Sequence, residues 1–187
     1  MSLADRSDRG DCTDLPGDPE SVARLICLRL LTNAPRTRAQ LAAALHRRGV
    51  PDPAAKAVLD RFGDVGLIDD RAFAEAWVSS RHSGRGLAGR ALSQELRQRG
   101  VDRQTTAAAV GRLDTDTEWE TARRLVRRRA QRLSGAAPDV ALRRLVSMLA
   151  RKGYSPGLAY AVVRAELAES NAVDVAALSE LDESEPD

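Results

Sequence analysis

The stretch Leu41-Ala42-Ala43-Ala44-Leu45-His46-Arg47-Arg48-Gly49-Val50 decides the fold, because the chain contains it three times. It returns as Leu92-Ser93-Gln94-Glu95-Leu96-Arg97-Gln98-Arg99-Gly100-Val101 and again as Leu145-Val146-Ser147-Met148-Leu149-Ala150-Arg151-Lys152-Gly153-Tyr154. The common pattern is Leu-x3-Leu-x2-(Arg/Lys)-Gly followed by an apolar residue, and its glycines stand 51 and 53 residues apart. A fixed period of that size marks an internal repeat. The pattern also has a local physical meaning. A helix commonly stops with a residue in the left-handed region, which glycine enters without a Cβ penalty. Counting back from Gly49 puts Leu45 where its carbonyl receives the Val50 amide and its side chain meets Val50. The same count pairs Leu96 with Val101 and Leu149 with Tyr154, and every pair is apolar.

A new helix is expected just after each stop. Asp52 precedes Pro53, Asp102 precedes Arg103 and Ser155 precedes Pro156, each a short polar acceptor suited to an N-cap. Working outward, the pattern predicts three three-helix repeats, at 19–66, 67–114 and 115–169, between a disordered acidic segment at 1–18 and an acidic tail at 170–187. The first repeat opens with a helix carrying Val22, Leu25, Ile26, Leu28, Leu30 and Leu31, a wide apolar surface that calls for deep packing. Helices from about Thr37 to Arg48 and Asp52 to Val65 follow. The second opens at Asp69 and Asp70 with Phe73, Ala76, Trp77 and Ser80 on one helical face. A loop from Ser83 to Arg90 comes next, then helices carrying Leu92 and Leu96 and spanning Asp102 to Leu113. The third opens at Asp116, with Trp119, Ala122, Val126, Ala130 and Leu133 along its inner stripe. Its second helix starts near Pro138, and its third runs from Ser155 to about Glu169. Units of this size bury little core alone and must lean on their neighbours.

Composition sets the class as all-α. Aromatics are 3% of 187 residues, and runs of four or more β-branched residues are absent, so strands have little to be built from. No apolar stretch is long enough to span a membrane and no signal-peptide pattern opens the chain, so a cytoplasmic protein is expected. Cys12 and Cys27 offer neither a disulfide framework nor metal spacing, and Cys27 reads as core. His46 and His82 read as surface residues.

The formal net charge of +2 hides a sharp division. Residues 1–20 carry −4, residues 169–187 carry −7, and the interior therefore carries +13, with 25 of its 27 basic residues being arginine. Such an excess points toward an anionic partner. Its densest segment is Arg123-Arg124-Leu125-Val126-Arg127-Arg128-Arg129-Ala130-Gln131-Arg132. Arg123 with Arg127, and Arg124 with Arg128, are like-charge pairs at i, i+4 that weaken a helix. Either an acidic surface of the protein neutralises them or an outside polyanion does. Candidate contact residues for nucleic acid or a protein partner are accordingly Arg85, Arg90, Arg123, Arg124, Arg127, Arg128, Arg132, Arg143 and Arg144. Gly49, Gly100, Gly153, Asp69, Asp70, Phe73 and Trp77 are read as structural, the two aspartates as helix caps rather than metal ligands. No Ser/His/Asp or Cys/His set, no metal-ligand cluster and no Gly-x4-Gly-Lys-Ser/Thr loop occurs. An enzyme, a metal or a cofactor is therefore not expected. The aromatics follow apolar stripes rather than forming a base-stacking platform, so any nucleic acid would be held by its backbone.

At Leu67-Ile68-Asp69-Asp70-Arg71-Ala72-Phe73-Ala74-Glu75-Ala76-Trp77-Val78-x2-Arg81 the chain resembles the RecX family of bacterial recombinase regulators. The run Leu30-Leu31, Arg36, Arg38, Leu41, Leu45, Arg48-Gly49 and the later Leu92-x3-Leu96-x2-Arg99-Gly100 are similar to that family too. The resemblance covers about residues 20–168 and is loosest in the third repeat. It implies three tandem three-helix modules in an elongated, curved array that lodges in the groove of the RecA filament on DNA. It further implies a protein that opposes filament extension and depresses ATP hydrolysis, strand exchange and coprotease activity; a monomer is expected. The expected partners are the RecA filament and the phosphates of single- and double-stranded DNA. Two other classes fit the charge and repeats: a stand-alone helix-turn-helix-like DNA-binding protein, and a helical scaffold without nucleic-acid affinity.

Overall fold

The computed structural model describes residues 17–133 and 135–182, with side chains described through Glu169. The expected acidic segment at 1–18 therefore falls mostly outside the described residues. Nine α-helices and no strands occur among them: α1 Pro19–Asn33, α2 Arg38–His46, α3 Asp52–Asp64, α4 Asp70–Arg85, α5 Gly89–Gln98, α6 Arg103–Val110, α7 Thr115–Ala130, α8 Pro138–Arg151 and α9 Pro156–Asp182. A 3-10 turn, Gln131–Leu133, extends α7. The class is all-α and the helices fall in three sets of three. No described helix is long and apolar enough to cross a membrane.

The helix stops have the geometry that their residues require. Gly49, Gly100 and Gly153 take φ of 70°, 78° and 92°. The amides of Val50, Val101 and Tyr154 donate to the carbonyls of Leu45, Leu96 and Leu149 at 3.2, 3.1 and 3.2 Å. Both leucines of every copy are fully buried, as is Tyr154. Several helix starts are capped by short polar residues, whereas α8 follows Ala137 without a side-chain cap. Thr37 and Gln40 form a reciprocal capping box on α2. The carboxylates of Asp69, Asp102 and Asp114 accept from Ala72, Thr105 and Thr117 amides at 2.9, 2.9 and 2.6 Å. Ser155 Oγ accepts from the Leu158 amide at 3.3 Å. Asp52 departs from expectation: Pro51 occupies the N-cap of α3 without a side-chain bond, and Asp52 is already helical.

The described chain divides into two compact units. One comprises the residues up to Trp77 together with Leu96–Ala109, and the other comprises Val78–Glu95 and the chain from Val110 onward. The division falls inside α4 and α5, so the second repeat is shared between the units instead of closing on a core of its own. In the first unit Ala23, Cys27, Leu41, Leu45, Val58, Leu59 and Phe62 form the core of α1, α2 and α3. In the second, Ala122, Val126, Leu145, Leu149, Tyr154, Ala159, Val162 and Val163 form the core of α7, α8 and α9, with Ala88 contributed from the second repeat.

Within each unit the motif glycine of one repeat meets the start of the second helix of the repeat before it. In the first unit a Cβ on Gly100 would lie 2.2 Å from Ala39 Cβ, and Thr37 Oγ1 donates to the Arg99 carbonyl at 2.6 Å. In the second a Cβ on Gly153 would lie 2.5 Å from the Ala91 amide nitrogen, and the Ala88 amide donates to the Lys152 carbonyl at 2.9 Å. The two joints are equivalent. Each couples the residue ahead of one second helix to the carbonyl just before the next motif glycine. These glycines therefore serve two ends at once, the left-handed stop and a backbone approach that no side chain leaves room for.

Four expectations are corrected by packing. On α1 only Ala23 and Cys27 are fully buried, while Leu25 and Leu28 remain 69% and 41% exposed, because the helix packs on α2 and α3 along one narrow stripe. On α4 the buried face is Ala74, Val78 and His82, one position round from the expected stripe. Small Ala74 lets that face close up, and Phe73 and Trp77 stack beside it, centroids 5.7 Å apart, with the Arg99 guanidinium 3.6 Å over the Trp77 ring. Ser83, Gly84 and Arg85 belong to α4, so the connector to α5 is only Gly86, Leu87 and Ala88. Finally, α9 continues past Glu169 to Asp182, because Ala-, Leu- and Glu-rich sequence without Gly or Pro gives it no stop signal.

Gly100→Ala and Gly66→Ala separate the two roles of glycine. Gly66 also has positive φ, 72°, but no atom lies within 4 Å of where its Cβ would be. Gly66→Ala should cost about 1–2 kcal/mol, the left-handed strain alone. Gly100→Ala should cost at least about 1 kcal/mol more, from overpacking at the joint. Urea denaturation of both variants checks this, and equal losses would remove the close-approach role.

Candidate partner and nucleic-acid interface

The arginine-rich helix α7 is partly neutralised from within. Glu166 of α9 is buried, and both of its carboxylate oxygens accept guanidinium protons: Oε1 from Arg123 Nε, and Oε2 from Arg127 Nε at 2.6 Å. Glu169, one turn further along, accepts from Arg123 Nη2 at 2.9 and 3.0 Å and from Arg127 Nη2 at 3.1 Å. The i, i+4 repulsion that the sequence sets up between these two arginines is thus answered by two carboxylates at i, i+3 on a neighbouring helix. Burial works to raise the Glu166 carboxyl, but the hydrogen bonds from Arg127 and Arg123 and their charges outweigh it and hold the group below its ordinary 4.5. Both guanidinium pKa values move upward, chiefly through their bonds to Glu166. Of the nine candidate contact arginines, these two fasten α7 to α9.

Three others meet in a cleft of about 620 Å³ in the same unit, where Arg85 at the end of α4 and Arg124 and Arg128 of α7 are accompanied by Asp116 and Glu120. Its floor is His82, which is buried rather than on the surface. His82 Nδ1 lies 2.9 Å from the Leu87 carbonyl and Nε2 lies 2.9 Å from Thr121 Oγ1, which also accepts from Arg124 Nη2 at 3.1 Å. With Nδ1–H donating to the Leu87 carbonyl, Nε2 is placed to accept from the Thr121 hydroxyl. The end of α4 is held further by Lys152 Nζ, which donates to the Arg85 carbonyl at 2.5 Å, and by the Tyr154 hydroxyl, which donates to the Gly86 carbonyl at 3.2 Å. Burial, then the nearby Arg128 and Arg85, lowers the Lys152 pKa, and burial raises the Tyr154 hydroxyl to about 12.

A second opening of about 590 Å³ is lined by Arg129 of α7 and by Arg143, Arg144, Ser147, Met148 and Arg151 of α8. It unites Arg143 and Arg144 with two arginines that the sequence reading passed over. Arg90 and Arg132 are exposed on α5 and on the 3-10 turn, outside both openings. Asp69 caps α4, whereas Asp70 reaches a different helix, its Oδ1 accepting from the Arg38 amide at 2.8 Å at the start of α2. Sequence spacing could not have shown Glu166 or His82 in these roles, since their partners lie 39 to 43 residues away. The available signal for Glu166 and Glu169 was a pair of acids one turn apart, following the largely apolar start of α9.

The class defined by this arrangement is a tandem helical-repeat protein whose surface is organised around arginine. Family models for the RecX proteins match all of it in order: the first three-helix domain at residues 23–62, the second at 69–110 and the third at 116–163. The chain belongs to the RecX family. It is 61% identical over 160 residues to "Regulatory protein RecX" of Thermobifida fusca, covering 86% of each chain, and 56% identical over 166 residues to that of Streptomyces coelicolor, covering 89% of this chain and 88% of that one. The crystal structure of RecX from Lactobacillus salivarius has the same fold, with a TM-score of 0.75 at 19% identity over 80% of this chain and 97% of that one.

Replacing Glu166 by Gln tests the clamp. Its folded-state pKa is depressed, so the stabilisation is complete above the ordinary value of 4.5 and is lost as pH falls through the lowered one. Arg127 is half exposed, so Glu166→Gln should cost about 1–3 kcal/mol near pH 7, toward the low end for a buried pair. The wild-type chain should then lose stability faster than Glu166→Gln below pH 4.5. Parallel acid limbs in thermal melts would show that the pair contributes nothing.

Proposed function

We propose that this protein regulates the RecA recombinase by binding the RecA filament on DNA, opposing its extension and depressing its ATP hydrolysis, strand exchange and coprotease activity. The observation that carries the reading is the match of all three repeats, in order, to the RecX domains, together with high identity to regulatory RecX proteins over most of the chain. The charge distribution supports it, since a filament on DNA presents phosphates and acidic protein surface together. The protein acts by occupancy and not by covalent chemistry, as a cytoplasmic monomer. Its contacts are made by arginines that the fold leaves outside the Glu166 clamp: Arg85, Arg124 and Arg128 around one cleft, and those of α8 around the other opening.

A RecA ATPase assay on single-stranded DNA tests the reading. Substoichiometric amounts of this protein should depress hydrolysis several-fold, and co-sedimentation should place it in the filament pellet. Unchanged hydrolysis at every ratio up to excess over RecA would overturn it.

A further inference from the structure

The α7–α8 opening gathers four arginines, Arg129, Arg143, Arg144 and Arg151, with no acid in its lining. Arg143, Ser147 and Arg151 follow one another at i, i+4 and i+8 and form one row along α8, while Arg144 and Met148 form the adjacent row. Eight residues of helix rise about 12 Å, so Arg143 and Arg151 mark the ends of a track of that length. Arg129, in the last turn of α7, faces it from the other side. All four are exposed, and no carboxylate of the described residues pairs with any of them.

The contrast with Arg123 and Arg127 carries the inference. On the same helix α7, the fold answers two arginines with two carboxylates where they face α9. Arg129 on the same helix and three arginines of α8 instead line one opening that has no acid in its lining, Asp139 lying one turn ahead of Arg143 and unpaired with it. Such a cluster repels itself, and an external polyanion relieves the repulsion while releasing its own counterions. The residue type narrows the ligand: a guanidinium fork grips phosphate oxygens in bidentate fashion, and four forks at intervals along a track suit a repeating phosphodiester. The lining has no aromatic on which a base could stack, and one thioether and one hydroxyl between the arginines.

We propose that Arg129, Arg143, Arg144 and Arg151 form the phosphate-backbone site of this protein, a sequence-independent nucleic-acid track in the third repeat from which Arg123 and Arg127 are excluded. The proposal rests on the reading above insofar as it localises that reading's nucleic-acid arm. Its test contains no RecA, so either can fail alone.

Fluorescence anisotropy of the full chain with a labelled oligothymidylate, followed over a range of salt, makes the test. Four contacts on a single strand predict a log-log salt slope of about −3. Arg143→Ala with Arg151→Ala should weaken binding at least tenfold at low salt and halve the slope. Arg129→Ala with Arg144→Ala should do the same, and circular dichroism should show both variants folded. Arg24→Ala with Arg29→Ala on α1, which removes the same charge elsewhere, should change affinity less than twofold. Wild-type binding by both groove variants, or an equal loss in the α1 variant, overturns the proposal. So does displacement of the oligonucleotide by pyrophosphate at equal phosphate concentration, which would indicate a small-anion site, or equally tight binding of polyglutamate of the same length, which would indicate an acidic-protein site.

Discussion

The structure depends on the backbone contact that a motif glycine makes with the preceding repeat. At Gly100 and Gly153 the chain must take a left-handed stop and, at the same atom, come within van der Waals distance of Ala39 or Ala91. Either demand alone could be met by some other residue at a cost of one or two kcal/mol. Together they leave glycine. The hydrogen bonds from Thr37 to the Arg99 carbonyl and from the Ala88 amide to the Lys152 carbonyl then lock each joint beside its glycine. The left-handed stop is common to all three copies, and in the second and third the joint adds a further demand for glycine.

The basic residue ahead of each glycine shows how such a frame accepts variation. Arg48 bonds back to its own helix through the Ala44 carbonyl at 3.3 Å, Arg99 lies over Trp77, and Lys152 closes the end of α4 at the Arg85 carbonyl. One sequence position makes three different contacts. What stays constant is the carbonyl it presents at the joint in the second and third copies. Charge placed on this frame is therefore free to vary, and in the third repeat Arg123 and Arg127 hold α9 while Arg143, Arg144 and Arg151 of α8 stay exposed.

Much of the fold was legible in the sequence because helix ends obey local chemistry. Leu45 with Val50, Leu96 with Val101 and Leu149 with Tyr154 could be paired by counting alone, as could the caps at Asp69, Asp102 and Ser155. Asp52 misled because the proline before it, not only the one after, can sit at a helix boundary. The candidate site was less legible because its decisive partners are distant in sequence. Nothing near Arg123 announces Glu166, and nothing near His82 announces Thr121. The stripe on α4 was misplaced for a related reason: Phe73 and Trp77 have the hydrophobicity of core residues, but Ala74 and Val78 have the size that allows close helix contact. Arg129 and Arg151 were missed because a groove between two helices is a property of their packing, and neither helix alone encodes it.

A double-mutant cycle at the first joint tests the central claim most directly. A Cβ on Gly100 would collide with the Cβ of Ala39, so removing the latter should make room for the former. Ala39→Gly alone should cost about 0.5–1 kcal/mol, the usual penalty for glycine in a helix. Added to Gly100→Ala it should instead recover stability, with a coupling energy of at least about 1 kcal/mol between the two positions. Strict additivity of the two losses would contradict the account, because the glycine would then serve its own helix end and nothing beyond it.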